Sequence, residues 1–326
     1  MFEGAQPVVA EFLRSGFVEG HHYGTVAALR ADGSVEWTVG DAQRPMLPRS
    51  SNKPLQALAM VRLGLALPPE LLALACASHV GEEFHIAGVR RILAGAGLDE
   101  SALQTPPDLP LDVAARDAVL RSGGAPAPIW MNCSGKHAAM LATCVLNGWD
   151  VASYRDPEHP LQQAIAETFT EFTGEPTQVA VDGCGAPLLS ASAVGLARAF
   201  GLLARGVDGS GREHAPARQV AEAIRGFPAY VSGSTESDAF LLAAVPRAIG
   251  KCGAEGCYAA ALPDGRAWVV KIDDGGERAA LVVLVAALRR SGVDRGPGVD
   301  VEALTRVVDC PLLGGGVRVG EVRAVL

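Results

Sequence analysis

At 326 residues and 33.7 kDa, with 49% apolar residues, the chain holds one large domain or two ordinary ones, with ample material for a buried core. Its 28 basic and 36 acidic side chains give a formal net charge of -8 with no run of lysines or arginines, which argues against nucleic acid as a partner. The longest apolar stretch, Ala279 to Leu288, is far shorter than the roughly 20 residues of a membrane span, and the N-terminus carries acids where a signal peptide carries bases, so a cytoplasmic protein without membrane contact is expected. The seven cysteines are an odd number in a chain large enough to need no staples, and they read as reduced thiols.

In chain order, His22 to Arg30 and Val35 to Val39 are strand-like runs joined by an Asp-Gly pair suited to a hairpin turn. Helices are expected to begin near Ser50, Pro68, Glu82, Leu111, Gly135, Pro160, Leu188 and Ala215, with glycine or proline between them. The tracts Thr105 to Pro110 and Gly123 to Pro128 read as loops within this helical part. A second hairpin follows, Gly256 to Leu262 and Arg266 to Ile272 around Pro263-Asp264-Gly265. The apolar helix Glu277 to Arg290 should lie against the sheet, and Gly314-Gly315-Gly316 is a turn before a last strand. Strands at both ends with helices between them predict an α+β fold: an antiparallel sheet flanked by helices, with an inserted, mostly helical subdomain. The expected organisation is a single domain over 1–326, with residues 1–50 and 177–326 in the sheet-containing part and 51–176 mostly helical.

The segment "RSSNKPLQ", Arg49 to Gln56, carries the first candidate chemistry. On a helix, residues three apart share a face, so Ser50 and Lys53 can approach each other while Ser51 points elsewhere. A serine hydroxyl needs a base to attack at neutral pH, and lysine serves only when burial or a second cation lowers its pKa. The bland alternative is that Ser50 or Ser51 caps the helix and Lys53 is solvated. A second element, Gly250-Lys251-Cys252-Gly253, precedes the C-terminal hairpin and is comparable to the K-[ST]-G edge strand of penicillin-recognising serine hydrolases, where a second lysine sits beside the nucleophile.

With both elements in view, the chain resembles the bacterial Rhizobium-type (class 3) L-asparaginases, related in fold to serine β-lactamases and glutaminases. The resemblance is carried by "RSGFVEGHHYG" at 14–24, "RSSNKPLQ" at 49–56, "CASHVGEEFH" at 76–85, "NCSGKHAAML" at 132–141, "VDGCGAP" at 181–187 and "GKCGAEG" at 250–256. It implies hydrolysis of L-asparagine to L-aspartate and ammonia through a covalent acyl-enzyme, with Ser50 as nucleophile, Ser50–Lys53 as one Ser-Lys pair and Ser78–Lys251 as the other. It also implies zinc held by Cys133, Lys136 and Cys184, with Asp182 beside them as a substrate-binding residue, Arg49 as a grip for a substrate carboxylate, and a homodimer. Val80 and Cys252 depart from the family pattern, and Ser232 to Phe240 looks divergent.

Some residues stay ambiguous on sequence alone. Lys271 rivals Lys251 as the second lysine, but the glycine after Cys252 favours the edge strand that carries Lys251. His137 adjoins Lys136 and is a candidate substrate-binding residue, whereas the other histidines show no H-E-x-x-H spacing. Cys252 and Cys257 are expected to be packing residues. Glutamine or β-lactam hydrolysis on the same scaffold, and a non-catalytic metal- or amino-acid-binding protein, are the competing functions.

Overall fold

The computed structural model describes residues 6–326; the first five, on which part of the N-terminal charge reading falls, lie outside the described residues. The chain opens with strands β1 (Val8–Arg14), β2 (Phe17–Leu29) and β3 (Val35–Val39). Helices α1 (Lys53–Arg62), α2 (Pro69–Ala75), α3 (Glu83–Gly95), α4 (Val113–Arg121), α5 (Ser134–Leu146) and α6 (Pro160–Thr173) follow. A two-stranded ribbon, β4 (Val179–Val181) with β5 (Pro187–Leu189), leads to α7 (Ala193–Arg205), α8 (Ala215–Gly226), α9 (Pro228–Val231) and α10 (Ser237–Ala244). The chain closes with β6 (Ile249–Gly253), β7 (Cys257–Ala261), β8 (Ala267–Ile272), α11 (Glu277–Arg290), α12 (Val301–Val307), β9 (Pro311–Gly314) and β10 (Val317–Ala324).

The antiparallel sheet runs β6-β7-β8-β2-β1-β10-β9, with β3 paired to the second half of β2. It unites the two ends of the chain, as the α+β reading expects: β2 pairs β8 with Val26 opposite Val270, and β1 pairs β10 with Phe12 opposite Val322. Every residue of β7 is buried, because both faces of the sheet are covered. Ala267 of β8 faces Gly201 of α7, where a side chain would come within 2.6 Å of the Gly265 carbonyl; the next residue, Trp268, points to the opposite face and donates its indole N–H to Ser291 at the end of α11.

Most expected helix starts fall within a few residues of those observed, and α11 lies against β7, β8, β10 and β1 as its apolar composition predicts. One start is corrected: Leu188 belongs to β5, and the helix begins at Ala193 after Ser192, whose hydroxyl accepts from the Gly195 amide. The apolar run continues through both elements, so hydrophobicity does not mark the junction that the cap marks.

Two close approaches set the site. Gly135 of α5 lets α2 cross near Ser78, since a Cβ there would lie 2.7 Å from the Leu74 carbonyl oxygen. On β6, a Cβ at Gly253 would lie 2.4 Å from the Pro48 oxygen and 3.0 Å from the Ser51 nitrogen. The glycine after Cys252 therefore admits the Ser50 turn to the edge strand, and it also lines the cavity that Ser50 lines.

Candidate active site

Arg49 to Asn52 form one 3₁₀ turn that runs directly into α1, with Lys53 at the first helical position and Pro54 behind it, where a missing N–H costs nothing. Arg49 has φ of 50°, a conformation non-glycine residues rarely adopt, and the sharp entry separates the two serines. Ser51 is fully buried and donates to the Lys251 carbonyl oxygen at 2.9 Å, tying the turn to β6. Ser50 is half-buried and lines a cavity of ≈ 320 Å³ together with Ser78, Asn132 and Cys252.

Ser78 follows α2 on an extended stretch held by its neighbours: its amide donates to the Val231 carbonyl, that of His79 to Asn132 and that of Val80 to Ser232. Lys53, fully buried, donates from Nζ to the Ala77 carbonyl at 2.6 Å and to Ser78 Oγ at 2.8 Å. Lys251, on β6, donates to the Cys252 carbonyl at 2.8 Å and lies 4.0 Å from Asp238. The structure thus joins Lys53 to Ser78, whereas Ser50–Lys53 and Ser78–Lys251 are not among the hydrogen bonds of the described residues. Ser50 and Ser78 line the cavity themselves, whereas the two buried lysines stand behind its wall, Lys53 bonded to Ser78 and Lys251 beside Cys252.

The two lysines differ in basicity. Burial lowers the pKa of Lys53, with Cys133 opposing the shift and the charges of Lys136 and Lys251 adding to it. At Lys251 burial acts in the same direction but is outweighed by Cys252 and Asp238, and the pKa is raised. The Cys252 thiol is itself pushed up to about 12, chiefly by burial, so the lasting negative partner of Lys251 is the Asp238 carboxylate. One amine is suited to accept a proton and the other to stay charged.

The expected metal residues also converge. Cys133 precedes α5, Lys136 lies on its first turn, and Cys184 sits in the turn between β4 and β5, which Gly185 closes at φ of 79°. Lys136 Nζ donates to Cys184 Sγ at 3.2 Å. The hydrogen bond from the Cys133 thiol, together with the Lys136 ammonium, holds Cys184 far below the usual thiol range, while Cys133 is correspondingly raised. His137 donates to or accepts from the Tyr154 hydroxyl through Nδ1 at 2.6 Å; its Nε2 is buried without a partner, and burial brings its pKa down to about 4. Among the described residues no three His, Cys, Asp or Glu side chains gather as a metal site, so a metal here depends on Lys136 as well as the two sulfurs. Two thiols, one amine and an orphaned imidazole nitrogen nearby are a donor set that fits zinc.

Arg49 donates from Nε to Asp182 at 2.9 Å and lies 3.5 Å from Glu255. It lines a neighbouring cavity of ≈ 380 Å³, as does Lys271, which is bonded to the carbonyls of Glu255 and Ile272. The Ser50 cavity is walled by neither. Cys252 and Cys257 pack in or against the core as expected, and they also line this cavity. Sequence reasoning missed Glu236, Asp238 and Tyr258 on this wall; the first two lie in the stretch singled out as divergent, and Tyr258 sits unmarked in an apolar strand.

The family described as L-asparaginase II matches residues 10–324, and the chain belongs to that family. Amide hydrolysis is the chemistry this membership carries. Among solved structures the chain is similar to a β-lactamase from Mycobacterium bovis, at 19% identity over 87% of this chain and 95% of that one with a TM-score of 0.43. It is also similar to a Bacillus glutaminase, at 11% identity over 82% and 91% of the two chains with a TM-score of 0.40. No curated protein matches the chain significantly. No helix among the described residues is long and apolar enough to cross a membrane.

Proposed function

We propose that this protein is an L-asparagine amidohydrolase with Ser50 as its nucleophile. The observation that carries the reading is the buried Lys53 amine, lowered in basicity and bonded to Ser78 on the cavity that Ser50 lines. With Lys53 neutral, the Ser78 hydroxyl donates to Nζ and is free to accept from the Ser50 hydroxyl. Ser50 Oγ then attacks the carboxamide carbon as its proton moves through Ser78 to Lys53. The oxyanion develops near the N-terminus of α1, whose positive end favours negative charge. Lys53 returns the proton to the leaving nitrogen, ammonia departs, and an aspartyl ester remains on Ser50. Water, deprotonated along the same path, releases aspartate. Lys251, kept charged by Asp238, supports negative charge on the serine oxygens.

Cys133, Lys136 and Cys184 would hold zinc, which when bound supplies a Lewis acid for a substrate oxygen. Arg49 and Asp182 position the Cys184 turn against the Ser50 turn through their ion pair. His137 braces α5 against Tyr154. The homodimer implied by the family likeness belongs to the same reading and is measured by light scattering.

Ammonia release from L-asparagine and L-glutamine, assayed in parallel on the wild type and Ser50→Ala, tests the proposal. Turnover of asparagine that Ser50→Ala abolishes supports it. Faster release from glutamine moves the substrate, and binding of asparagine without ammonia replaces the enzyme by an amino-acid-binding protein.

A further inference from the structure

The charged side chains lining the Ser50 cavity are all acidic: Glu236, Asp238 and Glu277, with no lysine or arginine. Two of these are compensated. Asp238 faces Lys251 at 4.0 Å and accepts from the Cys252 amide, and Glu277 lies in the first turn of α11, where the helix end is positive. The carboxylate of Glu236, just before α10, makes no hydrogen bond or ion pair among the described residues and gives that helix no side-chain cap. Its neighbours offer no relief: Glu82 is taken up by the amide and hydroxyl of Ser234, and Asp112 accepts from the Ala115 amide. Glu236 is an exposed residue on this cavity, and partial desolvation, then the charges of Asp238, Glu82 and Asp112, raise its pKa, with no cation beside it to oppose them.

Two hydroxyls on the same cavity are also without partners. Ser232 is 4% exposed and Tyr258 2% exposed, and neither oxygen is hydrogen-bonded. Buried hydroxyls left unsatisfied are costly, and a ligand bearing several N–H groups would satisfy them. The segment is fixed relative to the reacting serines, since the Val80 amide donates to the Ser232 carbonyl and a Cβ at Gly233 would come within 2.6 Å of Val80.

Resting on the reading of this cavity as the amide site, we propose that Glu236 is a specificity-determining residue that binds the free ammonium group of the substrate, so that the enzyme selects carboxamides bearing an ammonium over those lacking one. Ser232 and Tyr258 complete the polar wall on that side. Arg49, on the neighbouring cavity, plays no part in this selection.

The test compares L-asparagine with succinamate, the same carboxamide acid without its amino group, in the wild type and Glu236→Gln. The ratio of kcat/KM for asparagine over succinamate should fall about tenfold or more in Glu236→Gln, through the KM of asparagine, with succinamate little changed. Asp238→Asn, acting through Lys251, should depress both substrates alike. A ratio unchanged in Glu236→Gln overturns the proposal, and asparagine turnover in that case leaves the amidohydrolase reading standing. Calorimetric binding of both compounds to Ser50→Ala and to Ser50→Ala combined with Glu236→Gln reads the same ratio without chemistry. Discrimination that depends on Glu236 in a wild type releasing no ammonia upholds the ammonium site and sinks the amidohydrolase; asparagine that fails to bind overturns both.

Discussion

Lys53 Nζ lies 2.8 Å from Ser78 Oγ, a residue 25 positions away in sequence, in preference to the serine three positions before it. The 3₁₀ turn leading into α1 explains the choice, because Ser50 is displaced from the helical register that would stack it over Lys53. Ser50→Ala is expected to lower turnover about a thousandfold or more while leaving the fold intact. Ser51→Ala removes the bond to the Lys251 carbonyl, costing about 1 kcal/mol of stability with most activity retained. Steady-state kinetics and thermal melts on both variants check the pair, and the reverse pattern exchanges their roles.

The lowered basicity of Lys53 gives the pH profile its sign. The neutral amine is the working form, so kcat/KM should rise with pH through the Lys53 pKa and level off above it. Lys53→Arg should not rescue activity, because a guanidinium stays charged. Folding leaves this group with fewer protons than the unfolded chain, so it makes stability increase with pH between its folded pKa and the ordinary 10.5. Denaturant titrations across that window should show a shallower pH slope for Lys53→Met; an unchanged slope means that Lys53 is an ordinary lysine.

Much of this was legible in the sequence, for identifiable reasons. The hairpin Ala31-Asp32-Gly33-Ser34 and the strand Val35–Val39 were marked by a turn with its own chemistry, and α11 by its apolar composition. Short edge strands such as β9, with mostly exposed residues, carry no periodic signal, and α9 and α10 are too short to show one. At the site, spacing brought Ser50 and Lys53 forward, and the hydrogen bond that the structure shows runs from Lys53 to Ser78. Ser50 and Lys53 are three apart, yet which serine meets the amine depends on the α2–α9 packing that carries Ser78 in. The carboxylates at Glu236 and Asp238 had no motif at all; only the fold turns them toward the serines.

Gly253 is expected to be intolerant of even a methyl group. A Cβ 2.4 Å from the Pro48 oxygen forces β6 away from the Ser50 turn, and Gly253→Ala should destabilise by about 1–3 kcal/mol with a larger loss of activity than of stability. Differential scanning calorimetry and the asparagine assay on one preparation decide it; wild-type behaviour would show that this approach is not required.

Zinc, if held as proposed, should be present at one ion per chain and lost in Cys184→Ser, with Ser50→Ala retaining it. Elemental analysis of the purified protein measures both. Retention of zinc by Cys184→Ser places the metal elsewhere.

The most direct test of the Ser50–Ser78–Lys53 arrangement is to quench the enzyme in acid during turnover of L-asparagine and map the ester by peptide mass spectrometry. The mechanism predicts an aspartyl adduct on the peptide containing Ser50, mapped to Ser50 and absent from Ser50→Ala. An adduct on Ser78 or Ser51 with Ser50 unmodified would contradict it.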